Sequence, residues 1–511
     1  MTAGWVLPDG VLTEAPSYTP RAAELADLEL LLTGAFAPLT GLPTRDDLIS
    51  ITERGRLADG TPWPLPLTLE VPSQLLTTRD RHNPLRRALV VTNGEGEPMA
   101  AVDVIDSWPV RDGVSAVGGP VRALGERRRW PFASLRRTPA EVRAQLPPGR
   151  VVGVVADRPL HRPQLAQLVL ATRTLQAHLL VLIPVAGPTP DGLPPEALVR
   201  CVLAARDRLP PATFVTVPLR RRGNEIYDAL ARARVAQAYG VTHLLASDQT
   251  LSGGGLRVVL PRELAYDNRD GQWRGKEDIP PPHRRLPLRP TEIAELLDRG
   301  FPLPEWHTPP AVARELTRAR PARRHRGLVL FFTGLPGSGK STIGRGLAAR
   351  IRESGERTVT VLDGDVLRRE LTDGQELLTS DRDVRRIGWV AAEIARHRGL
   401  VICCPTAPHS QPRAEARARA QAAGAGFVLI WISTPRSVCE QRDRKGRYAR
   451  ARAGLVTGVP GVDTPYEEPT DADLVLDTSD LSVDEAVERV LTHLEDHGWL
   501  ELPQDDLEPV A

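Results

Sequence analysis

The stretch 334–341 (GLPGSGKS) constrains the fold of this 511-residue chain most, because it fits the phosphate-loop pattern G-x-x-x-x-G-K-[ST]. The preceding residues 327–332 (GLVLFF) are apolar and predict a buried strand, and residues 342–352 (TIGRGLAARIR) have helical spacing. A strand, a glycine-rich loop and a helix in this order turn backbone N–H groups toward a phosphate chain. The pattern therefore predicts a nucleotide-binding α/β domain.

The residues of this loop have defined roles in phosphate binding. Lys340 would reach the β- and γ-phosphates of ATP, and the Ser341 hydroxyl would hold Mg²⁺. Lysine is otherwise scarce, since only Lys276 and Lys445 accompany Lys340 and arginine supplies the remaining positive charge. The predicted ATP-binding residues of the loop are Gly334, Leu335, Pro336, Gly337, Ser338, Gly339, Lys340, Ser341 and Thr342.

Composition excludes several other classes of protein. A formal charge of +2 with 25% charged residues gives no overall field toward nucleic acid or a membrane surface, so we expect neither as a partner. No apolar run approaches the ~20 residues of a membrane span. The four cysteines show neither metal-ligand spacing nor a disulfide framework, which is typical of a reducing cytosol. We therefore expect a cytoplasmic protein.

Changes in pattern along the chain predict three domains. Residues 1–148 are proline-rich with short apolar runs, which indicates a mostly β domain. Residues 149–308 alternate strand-like and helical stretches, which favours a central α/β domain with a parallel sheet. Residues 309–326 are rich in proline, arginine and alanine and are interpreted as a linker. Residues 327–500 then form a C-terminal phosphate-loop kinase domain.

The C-terminal domain is predicted to contain five parallel strands with intervening helices. After the strand that leads into the loop, the strand-like segments are residues 358–362, 399–404, 427–432 and 474–476. Ser482 and Glu485 have the spacing of a capping box and predict the start of the last helix.

Charged residues follow two of these predicted strands. Asp363 and Asp365 come after the second strand, at the edge of the sheet where a phosphoryl-transfer enzyme needs carboxylates. One carboxylate can hold Mg²⁺ or its waters, and one can accept the proton of an attacking hydroxyl; Asp365 is the candidate base. Residues 436–452 are strongly basic and can close over phosphates as a lid.

Several separated motifs make residues 327–500 resemble adenylyl-sulfate kinase. The family's F-T-G-L-x-G-x-G-K-S-T, D-G-D-x-x-R, D-R-[DE] and R-R-I-G patterns are followed by a proline-containing loop, a C-E-x-R-D-x-K-G-x-Y segment and a D-x-P-Y-E segment. Here they stand, in the same order, at residues 332–342, 363–368, 381–383, 385–388, 406–408, 439–454 and 457–467.

The resemblance implies transfer of the γ-phosphate of ATP to the ribose 3′-hydroxyl of adenosine 5′-phosphosulfate, with Mg²⁺ bound to ATP. By resemblance, Lys340 and Asp365 are the catalytic residues, Ser341 and Asp365 hold the metal, and a homodimer is expected. Arg442 and Asp443 would lie near the base of ATP. The residues expected to bind the phosphosulfate nucleotide are Asp363, Arg368, Arg382, Thr406, Ala407, Pro408 and Lys445.

One segment departs from the kinase pattern. Between Arg368 and Arg385 the family has a phenylalanine-serine pair that stacks on the substrate adenine, whereas this chain has Leu377 and Leu378. Leucine can cover an adenine face but loses ring stacking. A phosphate-loop kinase with a different acceptor is therefore an alternative.

Residues 24–42 and 56–71 resemble the start of ATP sulfurylase, and the resemblance covers about residues 24–308. It implies a nucleotidyltransferase-like fold for the central α/β domain, but the active-site motifs of the family are altered here. The family's Q-x-R-N-P-x-H-x-x-H stands as residues 156–164 (ADRPLHRPQ), which keep His161 but have Gln164 at the second histidine. The family's G-R-D-H stands as residues 246–249 (ASDQ). An arginine-bearing loop survives loosely as residues 219–223 (LRRRG).

These losses predict that the sulfurylase-like region keeps the fold without the chemistry. The leading hypothesis is an adenylyl-sulfate kinase fused to an inactive sulfurylase-like region. A bifunctional enzyme is the alternative, and it would need His161 and Arg220 to Arg222 to replace the missing groups. A nucleotide-binding regulatory protein without turnover is a further alternative.

Overall fold

The computed structural model describes residues 10–76, 87–124, 131–248, 251, 255–364 and 380–501. The chain forms two compact units. The N-terminal unit comprises Met1–Pro290 and Leu303–Leu316, and the C-terminal unit comprises Thr291–Pro302 and Thr317–Ala511. In the described part of the chain, no helix is both long enough and apolar enough to cross a membrane.

The N-terminal unit begins with a mostly β region, as predicted. Its described strands form one sheet in the order β1-β4-β5-β7-β2, with β3 and β6 also paired to the long strand β7. The strands are β1 Ser17–Tyr18, β2 Gly41–Leu42, β3 Leu69–Pro72, β4 Ala88–Thr92, β5 Pro98–Asp103, β6 Asp106–Arg111 and β7 Val114–Ala123. The helices are α1 Val11–Glu14, α2 Ala22–Leu32, α3 Arg45–Arg54 and α4 Pro139–Gln145.

A parallel sheet follows in the same unit, which confirms the predicted alternation of strands and helices. Its order is β10-β9-β8-β11-β12. The strands are β8 Val151–Val155, β9 His178–Pro184, β10 Ala212–Val217, β11 His243–Leu245 and β12 Arg257–Val259, and the helices are α5 Arg162–Leu175, α6 Pro195–Ala204 and α7 Glu225–Ala238. Both sheets contribute to one apolar cluster, in which Leu69 of the first sheet and Leu180 of the second are fully buried.

Two features of the structure were not expected from the sequence. A small antiparallel sheet follows β12, with β13 Leu264–Asp267 between β14 Gln272–Gly275 and β15 Arg284–Arg285. After helix α8 Pro290–Arg299, the segment interpreted as a linker contains helix α9 Pro310–Ala319. Val312 and Leu316 of α9 share one face at helical spacing and are buried, so this face packs as part of a core. The domain limits themselves stay a prediction.

The C-terminal unit contains the five predicted parallel strands in the order β17-β18-β16-β19-β20. They are β16 Leu328–Gly334, β17 Val359–Leu362, β18 Leu400–Cys403, β19 Gly426–Ile432 and β20 Leu474–Leu476. The helices are α10 Lys340–Ser354, α11 Asp381–Arg396, α12 Ser410–Ala422, α13 Arg436–Gln441, α14 Arg447–Arg452 and α15 Val483–Asp496. The predicted capping box is present at the start of α15, where Ser482 and Glu485 bond reciprocally.

The central strand β16 explains the position of the phosphate loop. All of its residues are buried, with Leu330 and Phe332 in one apolar cluster and Val329 and Phe331 in another on the opposite face. A strand covered on both faces is typical of a doubly wound parallel sheet. Because the strands are parallel, the residues that follow them meet at one edge, which is where such sheets bind ligands.

Candidate functional site: a phosphate loop and its cavity

The phosphate loop connects β16 to α10 and depends on glycine. Gly334, Gly337 and Gly339 have φ values of +146°, +79° and +101°, which side chains with a Cβ rarely adopt. A Cβ at Gly337 would also lie 2.7 Å from the carbonyl oxygen of Cys439. Glycine is therefore required at position 337 both by the positive φ and by the close packing against Cys439.

Lys340, at the start of α10, folds back over the loop. Its Nζ donates hydrogen bonds of 2.8 Å to the carbonyl oxygens of Gly334 and Leu335. The side chain is buried, and this burial lowers the pKa of Lys340 to about 8. The loop thus holds an ammonium with little water around it, where it can compensate phosphate charge strongly.

A cavity of about 590 Å³ lies against this loop. The residues predicted for the site that line it are Pro336, Gly337, Gly339, Lys340, Ser341, Thr342, Asp363, Thr406, Arg442, Asp443 and Lys445. Ser341 and Asp363 bring a hydroxyl and a carboxylate to the same cavity, and Mg²⁺ prefers such oxygen ligands. The residues present therefore fit a Mg²⁺ bound together with nucleotide phosphates.

The other predicted site residues have different positions. Gly334, Leu335 and Ser338 build the loop behind the cavity wall, and Ala407 and Pro408 follow Thr406 outside the lining. Arg382 is exposed on the first turn of α11 and does not line this cavity. The candidate base Asp365, Arg368 and the Leu377/Leu378 pair lie outside the described residues. The roles given to all of these residues stay predictions.

The basic segment is anchored to the loop. The carboxylate of Asp443 accepts hydrogen bonds from the backbone N–H groups of Arg447, Tyr448 and Ala449, at 2.8, 2.9 and 3.1 Å, and so satisfies the free donors at the start of α14. The hydroxyl of Tyr448 donates to the carbonyl oxygen of Pro336 at 2.8 Å. This segment therefore has a fixed contact with the loop in addition to its positive charge.

Residues after β20 form a wall that the sequence analysis did not assign. Arg442 donates to the Oγ1 of Thr478 at 2.9 Å and to its carbonyl oxygen at 2.7 Å. The Thr478 hydroxyl in turn donates to the carbonyl of Ser338 at 3.1 Å. Leu481 and Val483 complete this wall. Their place just after a predicted strand was the available signal, because the residues that follow parallel strands meet at the binding edge.

The cavity also contains two residues from the end of β18 that were not predicted, Cys404 and Pro405. Cys404 is buried, and burial raises the pKa of its thiol to about 12. The thiol thus stays protonated at neutral pH and acts as a small apolar wall beside Lys340.

In the N-terminal unit, the histidine kept from the sulfurylase motif is buried. The Nδ1 of His161 lies 3.0 Å from the Oγ1 of Thr308, and its ring lies 4.8 Å from that of His307. Burial, with a smaller contribution from His307, lowers the pKa of His161 to about 3. His161 is therefore neutral at neutral pH and supplies no positive charge.

The arginine-bearing loop of the N-terminal unit is engaged with a buried carboxylate. The Nε of Arg220 and the Nη2 of Arg222 lie 2.8 and 2.6 Å from the carboxylate oxygens of Asp27. Arg221, between them, is exposed. Asp157, from the other altered motif, pairs with Arg232 at 2.6 Å.

Comparison with known proteins matches three parts of the chain. Residues 11–117 match the PUA-like domain, residues 133–253 match ATP-sulfurylase, and residues 326–477 match adenylylsulphate kinase. A sulfate adenylyltransferase of Aspergillus terreus is 31% identical, with 98% of this chain and 99% of that protein covered. The chain belongs to the sulfate adenylyltransferase family. A sulfate adenylyltransferase of Mycosarcoma maydis is 32% identical, with 96% of this chain and 94% of that protein covered.

One similar solved structure matches this chain over almost its whole length. It is described as a hexameric APS kinase from Thiobacillus denitrificans, is 33% identical and has a TM-score of 0.75, covering 96% of this chain and 95% of that one. The predicted fusion of a sulfurylase-like region to a C-terminal adenylyl-sulfate kinase domain is therefore confirmed. This member of the sulfate adenylyltransferase family is a kinase enzyme.

Proposed function

We propose that the C-terminal unit transfers the γ-phosphate of ATP to the 3′-hydroxyl of adenosine 5′-phosphosulfate, giving ADP and the 3′-phosphorylated nucleotide. One observation carries this proposal: the same cavity is lined by the buried Lys340 ammonium, the Ser341 hydroxyl and the Asp363 carboxylate. Transfer of a phosphoryl group needs mainly positioning and charge compensation, which these groups supply.

Separate parts of the cavity would then take separate parts of the substrates. Lys340 and the N–H groups of the loop would bind the β- and γ-phosphates of ATP, and Arg442 would lie toward its base. Ser341 would hold Mg²⁺, with Asp363 or the predicted ligand Asp365, and the bound ion would offset phosphate charge. Asp365 stays the candidate for accepting the proton of the 3′-hydroxyl. Lys445, with Arg368 and Arg382, would bind the phosphosulfate nucleotide.

We propose further that the sulfurylase-like region does not form adenylyl sulfate. The bifunctional alternative requires positive charge from His161 and the Arg220 to Arg222 loop. The low pKa of His161 and the pairing of Arg220 and Arg222 with Asp27 argue against three of these four residues, and the exposed Arg221 is the one that remains. A site that must bind triphosphate then has fewer cations to compensate its charge.

A bifunctional enzyme is the second candidate function, because the sulfate adenylyltransferases of two fungi match almost the whole chain. It predicts that ATP and sulfate alone give adenylyl sulfate and its phosphorylated form. For that, the nucleotide would have to bind the exposed Arg221, or draw Arg220 or Arg222 away from Asp27.

Two reaction mixtures distinguish these functions. The first contains the purified protein, Mg-ATP and adenosine 5′-phosphosulfate, and the second contains Mg-ATP, sulfate and pyrophosphatase; the nucleotides are resolved by chromatography. Product from the first mixture alone supports the kinase proposal, and Lys340→Ala should abolish it. Adenylyl sulfate from the second mixture would show an active sulfurylase. ATP binding without product in either mixture would favour another acceptor or a regulatory role.

The assembly of the protein is part of the same proposal. We expect a homodimer from the kinase resemblance, whereas the similar APS kinase from Thiobacillus denitrificans is described as hexameric. Light scattering after size-exclusion chromatography should give twice the chain mass of 55.8 kDa for the dimer. Six times that mass would contradict the dimer and indicate a hexamer, as described for the Thiobacillus denitrificans protein.

A further inference from the structure

The loop that follows β18 contains a strained residue directly after Thr406, which lines the cavity. Ala407 has a φ of +44° and is buried. A Cβ makes this left-handed conformation unfavourable, and the following Pro408 favours an extended residue instead. Strained residues that persist next to a site are held by their surroundings and point to function.

Arg413, on α12, holds this loop by hydrogen bonding to its backbone. It is 3% exposed. Its Nη1 donates to the carbonyl oxygen of Ala407 at 2.7 Å, and its Nη2 donates to that of Glu467 at 2.8 Å. Its guanidinium also lies 6.0 Å from the ring centre of Tyr466. A buried guanidinium that donates to two main-chain carbonyls fixes both in place, because leaving either contact would strand its charge away from water.

A second contact holds the same loop from the strand that carries the phosphate loop. The hydroxyl of Thr333 lies 2.8 Å from the carbonyl oxygen of Thr406 and 3.0 Å from the hydroxyl of Tyr466. Thr333 is the residue before Gly334, where β16 ends. Arg413 and Thr333 therefore fix the strained loop from two sides, and Thr406, next to Ala407, is one of the residues that this loop brings to the cavity.

In the proposed arrangement, the strand order places most residues for the two substrates on different sides of β16; Lys445, which follows β19, is the exception. Arg442 and Thr478 follow β19 and β20 on one side of β16, and Asp363 and Thr406 follow β17 and β18 on the other. If the base of ATP binds on the side of Arg442, the acceptor nucleotide would bind on the side of Thr406.

We infer that Arg413 is a positioning residue for the acceptor: it holds Ala407 in its strained conformation and thereby sets Thr406 against the bound acceptor. This inference rests on the proposed kinase function. Arg413 itself does not line the cavity, so its effect on the acceptor would be exerted through the loop. Its loss should weaken acceptor binding and leave the ATP side intact.

The test uses the full-length protein and the variants Arg413→Met, Ala407→Gly and their combination. We expect Arg413→Met to raise the KM for adenosine 5′-phosphosulfate ~10-fold or more, with the KM for ATP nearly unchanged. Ala407→Gly alone should be nearly neutral, and in the double variant it should recover much of the loss, because glycine adopts this φ without a Cβ penalty. Arg413→Lys keeps a cationic donor, so its KM for the acceptor should lie between those of the wild type and Arg413→Met. It replaces Arg413→Met in the test if that variant does not fold.

Arg417→Met is the matched control. Arg417 lies one turn further along α12, stacks on Phe427 at 5.0 Å and does not contact the loop, so its variant should keep the KM for the acceptor. An unchanged acceptor KM in the Arg413 variants, an equal rise in both KM values, or no recovery by Ala407→Gly would overturn the inference. A wild-type protein that does not phosphorylate adenosine 5′-phosphosulfate would instead overturn the proposed function, and the inference with it.

Discussion

The hydroxyl of Tyr448 donates a 2.8 Å hydrogen bond to the carbonyl oxygen of Pro336 and so joins the basic segment to the phosphate loop. Tyr448 is buried, and Asp443 caps the helix that carries it. The basic segment was predicted as a lid that closes over phosphates. The structure gives the first turn of α14, within this segment, a fixed contact with the loop, so any closure has to involve the residues on either side of Tyr448.

Removing this hydroxyl should weaken ATP binding. Tyr448→Phe loses one buried hydrogen bond, worth about 1 kcal/mol, and leaves the Pro336 carbonyl without this donor. We expect the KM for ATP to rise about fivefold, measured by steady-state kinetics. Tyr239→Phe is the control, because Tyr239 donates a similar 2.9 Å bond to the carbonyl of Arg137 in the N-terminal unit. Equal KM values for ATP in the two variants would contradict a role for the Tyr448 contact.

The low pKa of Lys340 predicts a pH limit for nucleotide binding. As the pH rises through about 8, the buried ammonium of the empty enzyme loses its proton. Calorimetric titration with Mg-ATP should show constant affinity below this pH and a decrease of up to about tenfold per pH unit above it. Lys340→Met should bind weakly and lack this decrease, whereas a wild-type affinity that stays flat to high pH would contradict the prediction.

The same pKa affects stability in a defined direction. Between about 8 and the ordinary value of 10.5, the unfolded chain keeps the Lys340 proton and the folded protein does not. The contribution of Lys340 to the free energy of unfolding therefore rises with pH across this window. Comparing wild type with Lys340→Met by denaturant unfolding at several pH values isolates this contribution.

Asp27 should stabilise the N-terminal unit strongly. It is 3% exposed and compensates Arg220 and the nearly buried Arg222. We expect Asp27→Asn to lower the free energy of unfolding by about 3 kcal/mol, because it leaves a guanidinium without its counter-charge. Glu277→Gln removes the partner of Arg262 at an exposed pair and should leave the free energy of unfolding nearly unchanged. Thermal unfolding of both variants tests this difference.

Acid should destabilise the N-terminal unit through His161. Its pKa is about 3 in the folded protein and 6.5 ordinarily, so below pH 6.5 the unfolded chain binds a proton that the folded one excludes. The free energy of unfolding should fall with decreasing pH in this range, by at most about 1.4 kcal/mol per pH unit from this group. His161→Gln should reduce this slope, and His283→Gln, at an exposed position, should keep it. Identical slopes in all three proteins would place His161 in a more polar environment.

The sequence predicted the C-terminal unit well because its signals are local. The apolar runs that became β16 and β19, the glycine-rich loop and the Ser482 capping box each depend on neighbouring residues. The strands β13 to β15 were missed because they are short and carry polar residues such as Asp267 and Arg284. Helix α9 was missed because its proline and arginine content outweighed its short apolar stripe.

Contacts between distant parts of the chain could not be predicted from single patterns. Arg413 appeared as one arginine among many, and its role depends on Glu467, 54 residues away. Thr478 likewise contacts Ser338 at a separation of 140 residues. Such contacts depend on how the strands are ordered in the sheet, and local spacing carries no information about that order.

The position of β16 at the middle of its sheet has a consequence for how this enzyme can change. Arg442 and Thr478 follow β19 and β20, whereas Asp363 and Thr406 follow β17 and β18, and the phosphate loop lies between these two groups. Under the proposed function, substitutions in the residues that follow β17 and β18 can therefore accumulate without disturbing the residues that follow β19 and β20. In the sequence, Leu377 and Leu378, which stand where the family has a phenylalanine-serine pair, come between β17 and β18. Acceptor preference is thus free to diverge, or to be engineered, in a chain whose phosphate donor stays the same.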